Sequence, residues 1–306
     1  MLWNSIRALS QNGHQIQLIA TCRAAPEYDV RESDFEKLAT ELGAAFMVTQ
    51  DLNAPESLRA LRSAGSDIAI SINWINMIGS EACSVFPHGI LNAHAGDLPR
   101  YRGNAPVAWA ILQGESRIGI TIHVMSPHEL DAGPVVLKDY YLLSDDTYVG
   151  TVFRDLEQRI PDMFVDALRG LEAGSSVPQP QPLDPALSLR CYPRKPEDGL
   201  IHWERRAADI ARLVRASAEP FPGAFTYLRG QRLVVWRARA EQWPFPALAV
   251  PGQAIWRNPE RGEVGIATGE GVITLEQVQI AEGPRCRPTE LVRSLRDRLG
   301  MLPLCI

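Results

Sequence analysis

The stretch GILNAHAGDLPRYRGNAPVAWAILQGESRIGITIHVMSPHELDAG, residues 89–133, decides both the fold and the chemistry that the sequence predicts. Asn92 and His94 close an apolar run that predicts a short buried strand, and Asp131 follows a second run of alternating apolar residues. The two-residue spacing puts Asn92 and His94 on one face of an extended segment. An amide, an imidazole and a carboxylate at the ends of adjacent strands supply an oxyanion donor, a general base and an orienter for that base. The stretch therefore predicts a site for acyl transfer.

Helical and strand patterns alternate around this stretch. Helices are predicted over residues 2–12, 33–42, 53–64 (with Asn53 as N-cap), 79–86, 105–113 and 147–171 (with Thr147 as N-cap), and strands over 15–20, 44–48, 67–73, 119–125 and 134–143. Alternation with short links predicts an α/β fold with a doubly wound, mostly parallel sheet. Ligands of such sheets bind beyond the carboxyl ends of the strands, where Asn92 and His94 lie.

The second half of the chain has a different pattern. Residues 175–197 are rich in Pro, Ser and Gln, which predicts a stiff, extended linker between a catalytic domain over 1–174 and a smaller domain over 198–306. In that smaller domain a helix over 207–217 precedes about five short strands between 223 and 278. This pattern predicts a β-rich, OB-like barrel. A helix over 289–299 is expected to close the chain.

Charge and cysteine content limit the classes of partner. The net charge is −5, but residues 1–187 carry 13 basic against 23 acidic side chains, and the remainder carries 18 against 13. The basic half either meets a phosphate-bearing substrate or is a solvated face. Five scattered cysteines without a Cys-x-x-Cys pair indicate reduced thiols and no metal site. No apolar run reaches the roughly 20 residues that span a bilayer, and no signal peptide is present, so we expect a cytoplasmic protein that does not bind membranes.

Four motifs carry a resemblance to a known family: Asn92-x-His94, the LPRYRG run at 98–103, Gly119-x-Thr121 and Asp131-Ala132-Gly133. In this order and spacing the chain resembles the formyltransferases that use 10-formyltetrahydrofolate, which include methionyl-tRNA formyltransferase, glycinamide ribonucleotide formyltransferase and the sugar N-formyltransferases. The resemblance is best over residues 67–174.

The resemblance returns over residues 196–237. There Gly199-x-x-x-Trp203, Arg215-Ala216 and the PFPGAF run at 220–225 are similar to the C-terminal domain of methionyl-tRNA formyltransferase and of UDP-4-amino-4-deoxy-L-arabinose formyltransferase. Members normally begin one strand earlier. Either the start codon was assigned late, or the fold lacks a strand that is usually central; we favour the first explanation, because an open edge in the core would be costly. An exposed sheet edge would favour a homodimer.

The resemblance implies roles for the three polar residues. His94 would accept the proton of the attacking amine, since its reference pKa is about 6.5, and a base of this kind typically contributes about 10²–10⁴-fold. Asn92 would donate to the developing oxyanion, and Asp131 would orient His94 and help to hold an ordered water. The alternatives are a histidine that bonds its own loop, a strand-ending Asn that satisfies a turn, and an Asx-turn before Gly133.

The family also implies contacts to the formyl donor and to the acceptor. The positions that match its folate-binding segments are Asn76, Met77, Ile78, Gly96, Leu98, Pro99, His128, Glu129 and Leu130. Arg102 and Asn104 are expected to face the amine substrate, the alternative for Arg102 being a loop arginine that holds carbonyls. Gly96-Asp97 replaces a Ser-Leu pair of the tRNA enzyme, and this is more similar to sugar formyltransferases. Residues 126–130 form a loop one residue longer than in close relatives, and His123 is interpreted as structural.

Four functions remain to be compared. The favoured prediction is an N-formyltransferase that acts on an amino sugar, probably a nucleotide-linked one. Methionyl-tRNA formyltransferase is the alternative, but a tRNA-binding surface needs many Lys and Arg residues, and only Lys37 and Lys138 occur in the acidic first domain. The third candidate is a folate-binding homologue without activity, and the presence of Asn92, His94 and Asp131 argues against it. A dinucleotide oxidoreductase is excluded because no Gly-x-Gly-x-x-Gly follows a strand.

Overall fold

The computed structural model describes residues 1–24, 29–245 and 247–300. Internal contacts divide the described residues into two units, each assembled from separate stretches of chain. The first unit comprises Met1–Pro106, Arg117–Leu142 and Val152–Tyr192, and the second comprises Val107–Ser116, Leu143–Thr151 and the described residues from Pro193 onward. Most of the Pro-rich segment that was predicted as a linker thus belongs with the first unit.

The helices and strands follow the predicted alternation. The helices are α1 (Leu2–Gln11), α2 (Glu32–Leu42), α3 (Pro55–Ala64), α4 (Ser80–Cys83), α5 (Pro106–Gln113), α6 (Val149–Glu172), α7 (Ala207–Ser217) and α8 (Pro288–Leu291). The strands are β1 (Leu18–Thr21), β2 (Ala45–Val48), β3 (Ala69–Ser71), β4 (Ile90–His94), β5 (Arg102–Gly103), β6 (Arg117–Val124), β7 (Val135–Leu142), β8 (Arg190–Cys191), β9 (Ala224–Leu228), β10 (Gln231–Glu241), β11 (Ala254–Asn258), β12 (Glu263–Ala267), β13 (Val272–Ile280) and β14 (Arg285–Cys286). Within the described ranges, no helix is both long and apolar enough to cross a membrane.

Three sheets occur in the first unit. Strands β1 and β2 pair in parallel, as do β5 and β8. A four-stranded sheet has the order β3-β4-β6-β7, in which β3 and β4 are parallel and the other pairs antiparallel. Among the described residues β1 and β3 do not pair with each other. Strand β4 lies between β3 and β6, and all five of its residues are buried. The α/β prediction for this part of the chain is confirmed.

Apolar spacing explains how the helices cover these sheets. Helix α1 buries Ile6 and Leu9, three residues apart, in a cluster with Ile19 of β1 and Leu38 of α2. Leu58 and Leu61 of α3 repeat the same spacing in a second cluster, which includes Ile90 of β4. This core packs against β4 and therefore fixes the position of Asn92 and His94 at the end of the strand.

Two predicted helix caps are wrong. Asn53 does not cap α3, whose N-cap residue is Ala54; its Oδ1 instead accepts from the N–H of Gly79 at 2.6 Å. Thr147 accepts from the backbone N–H of Ser144 at 2.9 Å, so it closes a turn before α6. In both cases a side-chain oxygen binds a loop amide outside the helix, which competes with capping.

The second unit is an antiparallel sheet packed against α7. The strand order is β11-β12-β13-β10-β9, with β14 paired to β13. Single bridges Leu228–Leu299 and Gln253–Arg298 connect both ends of this order to the C-terminal segment. Buried Trp203 donates from Nε1 to Thr226 Oγ1 at 3.0 Å, which anchors the start of the domain to β9.

The predicted helix over 289–299 is wrong beyond its first turn. Helix α8 ends at Leu291, and Val292 has an extended backbone (ψ 96°). The carboxylate of Asp297 accepts from the N–H groups of Arg293 and Ser294 at 2.8 and 3.0 Å. The Leu299 N–H donates to the carbonyl of Gly252 at 2.8 Å. These bonds satisfy the backbone without a helix, so the local bonds to Asp297 and the distant bond to Gly252 override the helical spacing.

Candidate active site

The structure brings Asn92, His94 and Asp131 together in the first unit. Asn92 and His94 come from β4, and Asp131 lies in the connection between β6 and β7. The side chains are 8%, 7% and 8% exposed, and His94 Nδ1 lies 3.5 Å from Asp131 Oδ2. Burial of three polar side chains in one cluster is costly unless they are paired, so their mutual contacts decide what the cluster can do.

The hydrogen bonds of His94 fix its tautomer. Its Nε2 lies 2.6 Å from the backbone carbonyl of Tyr101. A carbonyl oxygen only accepts, so Nε2 carries the proton and the lone pair of the neutral ring is at Nδ1, facing Asp131. Burial lowers the pKa of His94, although the nearby Asp131 carboxylate opposes this shift. The ring is therefore neutral near pH 7 and can accept a proton at Nδ1.

The loop between β4 and β5 holds this contact in place. Tyr101 has a left-handed backbone (φ 63°), a conformation that typically costs a bulky residue about 1–3 kcal/mol. A Cβ atom on Gly96 would lie 2.6 Å from His94 Nε2 and 2.7 Å from the Tyr101 carbonyl oxygen. The absence of a side chain at Gly96 thus lets the two groups meet.

His123, interpreted from the sequence as structural, lies within the same cluster. It pairs directly opposite Asn92 across β4 and β6. Its Nδ1 donates to the Val124 carbonyl at 3.0 Å, and its Nε2 then accepts from Asn92 Nδ2 at 3.2 Å. The other N–H of the Asn92 amide has no acceptor among the described residues and is available to a ligand oxygen. Alternation along β6 was the available signal, since it places His123 two residues from Thr121, which faces His94.

Asp131 is held as an ionised carboxylate. Its Oδ2 accepts from the N–H of Gly103 at 2.8 Å, and its Oδ1 lies 3.5 Å from His123 Nε2. Burial raises the pKa of Asp131, but the neighbouring His123 and His94 rings and the bond from the Gly103 N–H together bring that pKa below its ordinary value. The backbone of Asp131 is left-handed (φ 54°), a conformation that aspartate adopts more readily than most residues. An imidazolium at His94 would therefore face a negative charge.

Arg102 is engaged by neighbouring side chains. Its Nε and Nη2 donate to Gln181 Oε1 at 3.2 and 2.8 Å, and its Nη1 donates to Glu129 Oε1 at 2.7 Å. Gln181 in turn donates to the carbonyls of Asp131 and Gly133, both at 2.8 Å. Sequence reasoning missed Gln181 because the Pro-rich segment around it resembles a linker. The Arg102 side chain thus connects that segment to the loop that carries Asp131.

The remaining predicted residues occupy two loops and a turn. Met77, Asn104, His128 and Glu129 are exposed, Leu98 and Ile78 are buried, and Pro99 and Leu130 are intermediate. Asn76 donates from Nδ2 to the Gln50 carbonyl at 2.7 Å, and the Asn104 N–H donates to Cys191 at 3.1 Å. In the described part of the chain, no group of three or more His, Cys, Asp and Glu side chains is arranged to hold a metal ion.

Comparison with known families identifies the fold. The sequence model described as "Formyl transferase" matches residues 2–168, and the one described as "Formyl transferase, C-terminal domain" matches residues 194–296. The chain belongs to the formyl transferase family. The family resemblance found in the motifs is confirmed.

Solved structures share this fold at low identity. HypX from Aquifex aeolicus in complex with tetrahydrofolic acid is 20% identical, with a TM-score of 0.62, over 92% of this chain and 48% of that one. WlaRD, a sugar 3N-formyl transferase crystallised with dTDP and 5-N-formyl-THF, is 14% identical (TM-score 0.63; 92% and 94% covered). Methionyl-tRNA formyltransferase from Clostridium thermocellum is 18% identical, with a TM-score of 0.56, over 88% of this chain and 100% of that one. The chain spans about half the length of the HypX chain that it matches.

Proposed function

We propose that this formyl transferase moves the formyl group of 10-formyltetrahydrofolate to the amine of a nucleotide-linked amino sugar. The observation that carries the proposal is the buried cluster in which Asn92, His94 and Asp131 meet. Within it, one N–H of Asn92 has no acceptor in the described part of the chain, and Nδ1 of His94, which carries the lone pair, lies 3.5 Å from the Asp131 carboxylate. Transfer of an acyl group to an amine needs a hydrogen-bond donor for the oxyanion and a general base for the amine at one place.

The loop after β3 fits the folate donor. No backbone N–H between residues 74 and 78 donates to another backbone group among the described residues, so these amides are available to the polar edge of a pterin ring. Ile75 and Met77 are exposed apolar side chains in the same loop, and the buried Nε1 of Trp74 lacks a hydrogen-bond partner within the described ranges. Planar, polar-edged ligands bind where apolar contacts and a few hydrogen-bond donors coincide.

Three residues divide the chemical work. Bound 10-formyltetrahydrofolate supplies a formyl group that is attached to nitrogen. Asn92 donates its free N–H to the formyl oxygen as that oxygen gains negative charge, an interaction typically worth about 10²–10³-fold in rate. His94 accepts at Nδ1 the proton that the acceptor amine loses as this amine bonds to the formyl carbon, and returns it to the donor nitrogen when the bond between that nitrogen and the formyl carbon breaks. Asp131 then stabilises the imidazolium without itself becoming protonated.

The charge distribution supports a small acceptor over tRNA. Residues 1–187 carry 13 basic against 23 acidic side chains. Lys138, one of two lysines there, is engaged by Asp97 Oδ1 at 2.9 Å and by the Leu98 carbonyl at 2.6 Å. A tRNA-binding surface gains most of its affinity from cations on phosphates. Methionyl-tRNA is kept as the alternative acceptor, because methionyl-tRNA formyltransferase shares the fold as WlaRD does.

A mass-spectrometric screen tests the proposal. Purified full-length chain is incubated with 10-formyltetrahydrofolate and UDP-, GDP- or dTDP-linked amino sugars, or with methionyl-tRNA, and each acceptor is examined for the mass of one added formyl group. We expect formylation of an amino sugar, with a shallow dependence of acceptor binding on salt. Formylation of tRNA alone would refute the sugar acceptor, and failure to formylate any amine would refute the transfer itself.

A further inference from the structure

A cleft in the second unit lies outside the cluster described above. Its volume is about 250 Å³, several times the roughly 30 Å³ that a water molecule occupies in the liquid. Three segments line it, namely the end of α5 with the following turn, the residues after β7, and α7. The lining residues are Ile111, Gly114, Glu115, Ser116, Leu143, Ser144, Asp145, Arg212 and Arg215.

Arg215 is the unusual residue of this cleft. It is only 8% exposed, and its Nε has no hydrogen-bond partner among the described residues. Burial lowers the pKa of its guanidinium, while the exposed carboxylate of Asp145 opposes this shift. A buried donor that is left unsatisfied is costly in a folded protein. The Arg215-Ala216 pair was noted in the sequence, and formyl transfer in the first unit does not account for it.

Arg212 brings a second guanidinium to the same wall. It precedes Arg215 by three residues on α7, so both side chains leave the same face of the helix. A Cβ on Gly114 would lie 2.5 Å from Arg212 Cζ, which shows how closely the guanidinium packs against that backbone. Arg212 donates from Nη1 to Asp209 Oδ1 at 3.3 Å, and no bond of its Nε or Nη2 occurs within the described ranges.

We propose that this cleft binds a small ligand through one oxyanionic group, a carboxylate or a phosphate, held by Arg215 and Arg212. The planar guanidinium offers parallel N–H donors that match the two oxygens of such a group. Glu115 and Asp145 also line the cleft. Their charges disfavour a ligand with several adjacent phosphates, so the site takes a single anionic group, and a hydroxyl or amine group of the ligand faces the exposed carboxylate of Asp145.

Titration calorimetry on the full-length chain tests this site without any formyl donor. Inorganic phosphate and acetate are titrated separately at constant ionic strength, which is maintained with potassium chloride. We expect saturable binding of at least one of them to a single site. Binding of phosphate alone assigns a phosphate group, and binding of acetate alone assigns a carboxylate.

Three variants locate the binding. Arg215→Gln and Arg212→Gln should each weaken it by about tenfold or more, because each removes charge-assisted hydrogen bonds. Arg206→Gln is the matched control, since Arg206 also bonds Asp209 from the start of α7 but lies outside the cleft; its binding should equal that of the native chain. If Arg215→Gln fails to fold, Arg212→Gln decides. Absence of saturation with both anions, or equal binding by the Arg212 variant and the native chain, would overturn the proposal.

Discussion

The two units differ in whether their buried polar side chains have bonding partners. In the first unit, Asn92, His94, His123 and Asp131 are buried together, and each contacts another member of the cluster. In the second unit, Arg215 is equally buried, yet its Nε has no partner among the described residues. A cluster whose groups bond one another is preorganised for chemistry, whereas a buried donor without a partner is suited to a ligand. This difference distinguishes the cluster around His94, which we propose for formyl transfer, from the cleft at Arg215, which we propose for ligand binding.

The largest expected effect is that of His94. Replacing His94 with Gln keeps a donor near the Tyr101 carbonyl but removes the base, so formyl transfer should fall by about 10²–10⁴-fold. The check is the single-turnover rate of formylation, with binding of the folate donor measured in parallel and expected to survive. His88→Gln, at an exposed histidine before β4, is the control and should retain the native rate. Activity of the His94 variant within tenfold of native would show that His94 is not the base.

Asn92 is expected to come next. Asn92→Ala removes the N–H that we assign to the formyl oxygen, and kcat should fall by about 10²–10³-fold. His123→Gln keeps an acceptor for the Asn92 amide, whereas His123→Leu does not. The Leu variant should therefore lose more activity than the Gln variant, chiefly in kcat. Equal losses from Gln and Leu would mean that His123 does not position Asn92.

Gly96 tests the contact between His94 and Tyr101. A Cβ at this position collides with both groups, and displacement of a reacting group by about 1 Å can cost up to roughly 10²-fold. Gly96→Ala and Gly96→Ser should therefore lower the rate by similar factors, because the Cβ and not the hydroxyl is responsible. Steady-state kinetics of both variants provide the check. A serine variant with native activity would show that His94 does not need this geometry.

Replacing a buried polar residue by an apolar one should lower the free energy of unfolding in the first unit, and should leave it unchanged or raise it in the second. Gln181→Leu removes the amide that bonds the Asp131 and Gly133 carbonyls, which should destabilise the chain by about 1–3 kcal/mol. Arg215→Met removes a buried guanidinium whose Nε has no hydrogen-bond partner among the described residues, so the stability of this variant should equal or exceed that of the native chain. Urea unfolding of both variants is the measurement. A strongly destabilised Arg215→Met would show that the guanidinium is structural, and the contrast between the units would fail.

The smallest expected effect concerns pH. Burial lowers the pKa of His94, so the neutral base persists below the ordinary value of about 6.5, and the acid limb of kcat/KM should lie below that pH. Asp131 raises the pKa of His94, so in Asp131→Asn this limb should move to still lower pH. The pH–rate profiles of the native chain and the variant provide the check. A limb that moves upward would contradict the assigned geometry.

The sequence predicted the parts of the fold that depend on apolar spacing. Strand β4, which ends with Asn92 and His94, follows from a short apolar run. Strand β6 follows from two-residue alternation, and α7 follows from helical spacing. The C-terminal helix was wrong because bonds from Asp297 and Leu299 satisfy that backbone in another way. Local pattern does not reveal bonds between distant segments.

The same limit applies to the candidate site. Gln181 follows the Asp131 loop by 50 residues and lies in a segment whose composition indicates a linker, so nothing local reveals that it supports the site. The tautomer of His94 depends on the carbonyl of Tyr101, and any residue type supplies a carbonyl. The His123 contact was accessible in principle, because the antiparallel register of β4 and β6 places it opposite Asn92.

The most direct test of the central claim, that Asn92 and His94 act as one unit in formyl transfer, is a double-variant comparison. Single-turnover formylation of one amino sugar nucleotide is measured for native chain, Asn92→Ala, His94→Ala and the double variant. Residues that act as a unit have non-additive effects. We therefore expect the double variant to be little slower than the slower single variant. Losses that multiply, or a single variant within tenfold of native, would contradict the account.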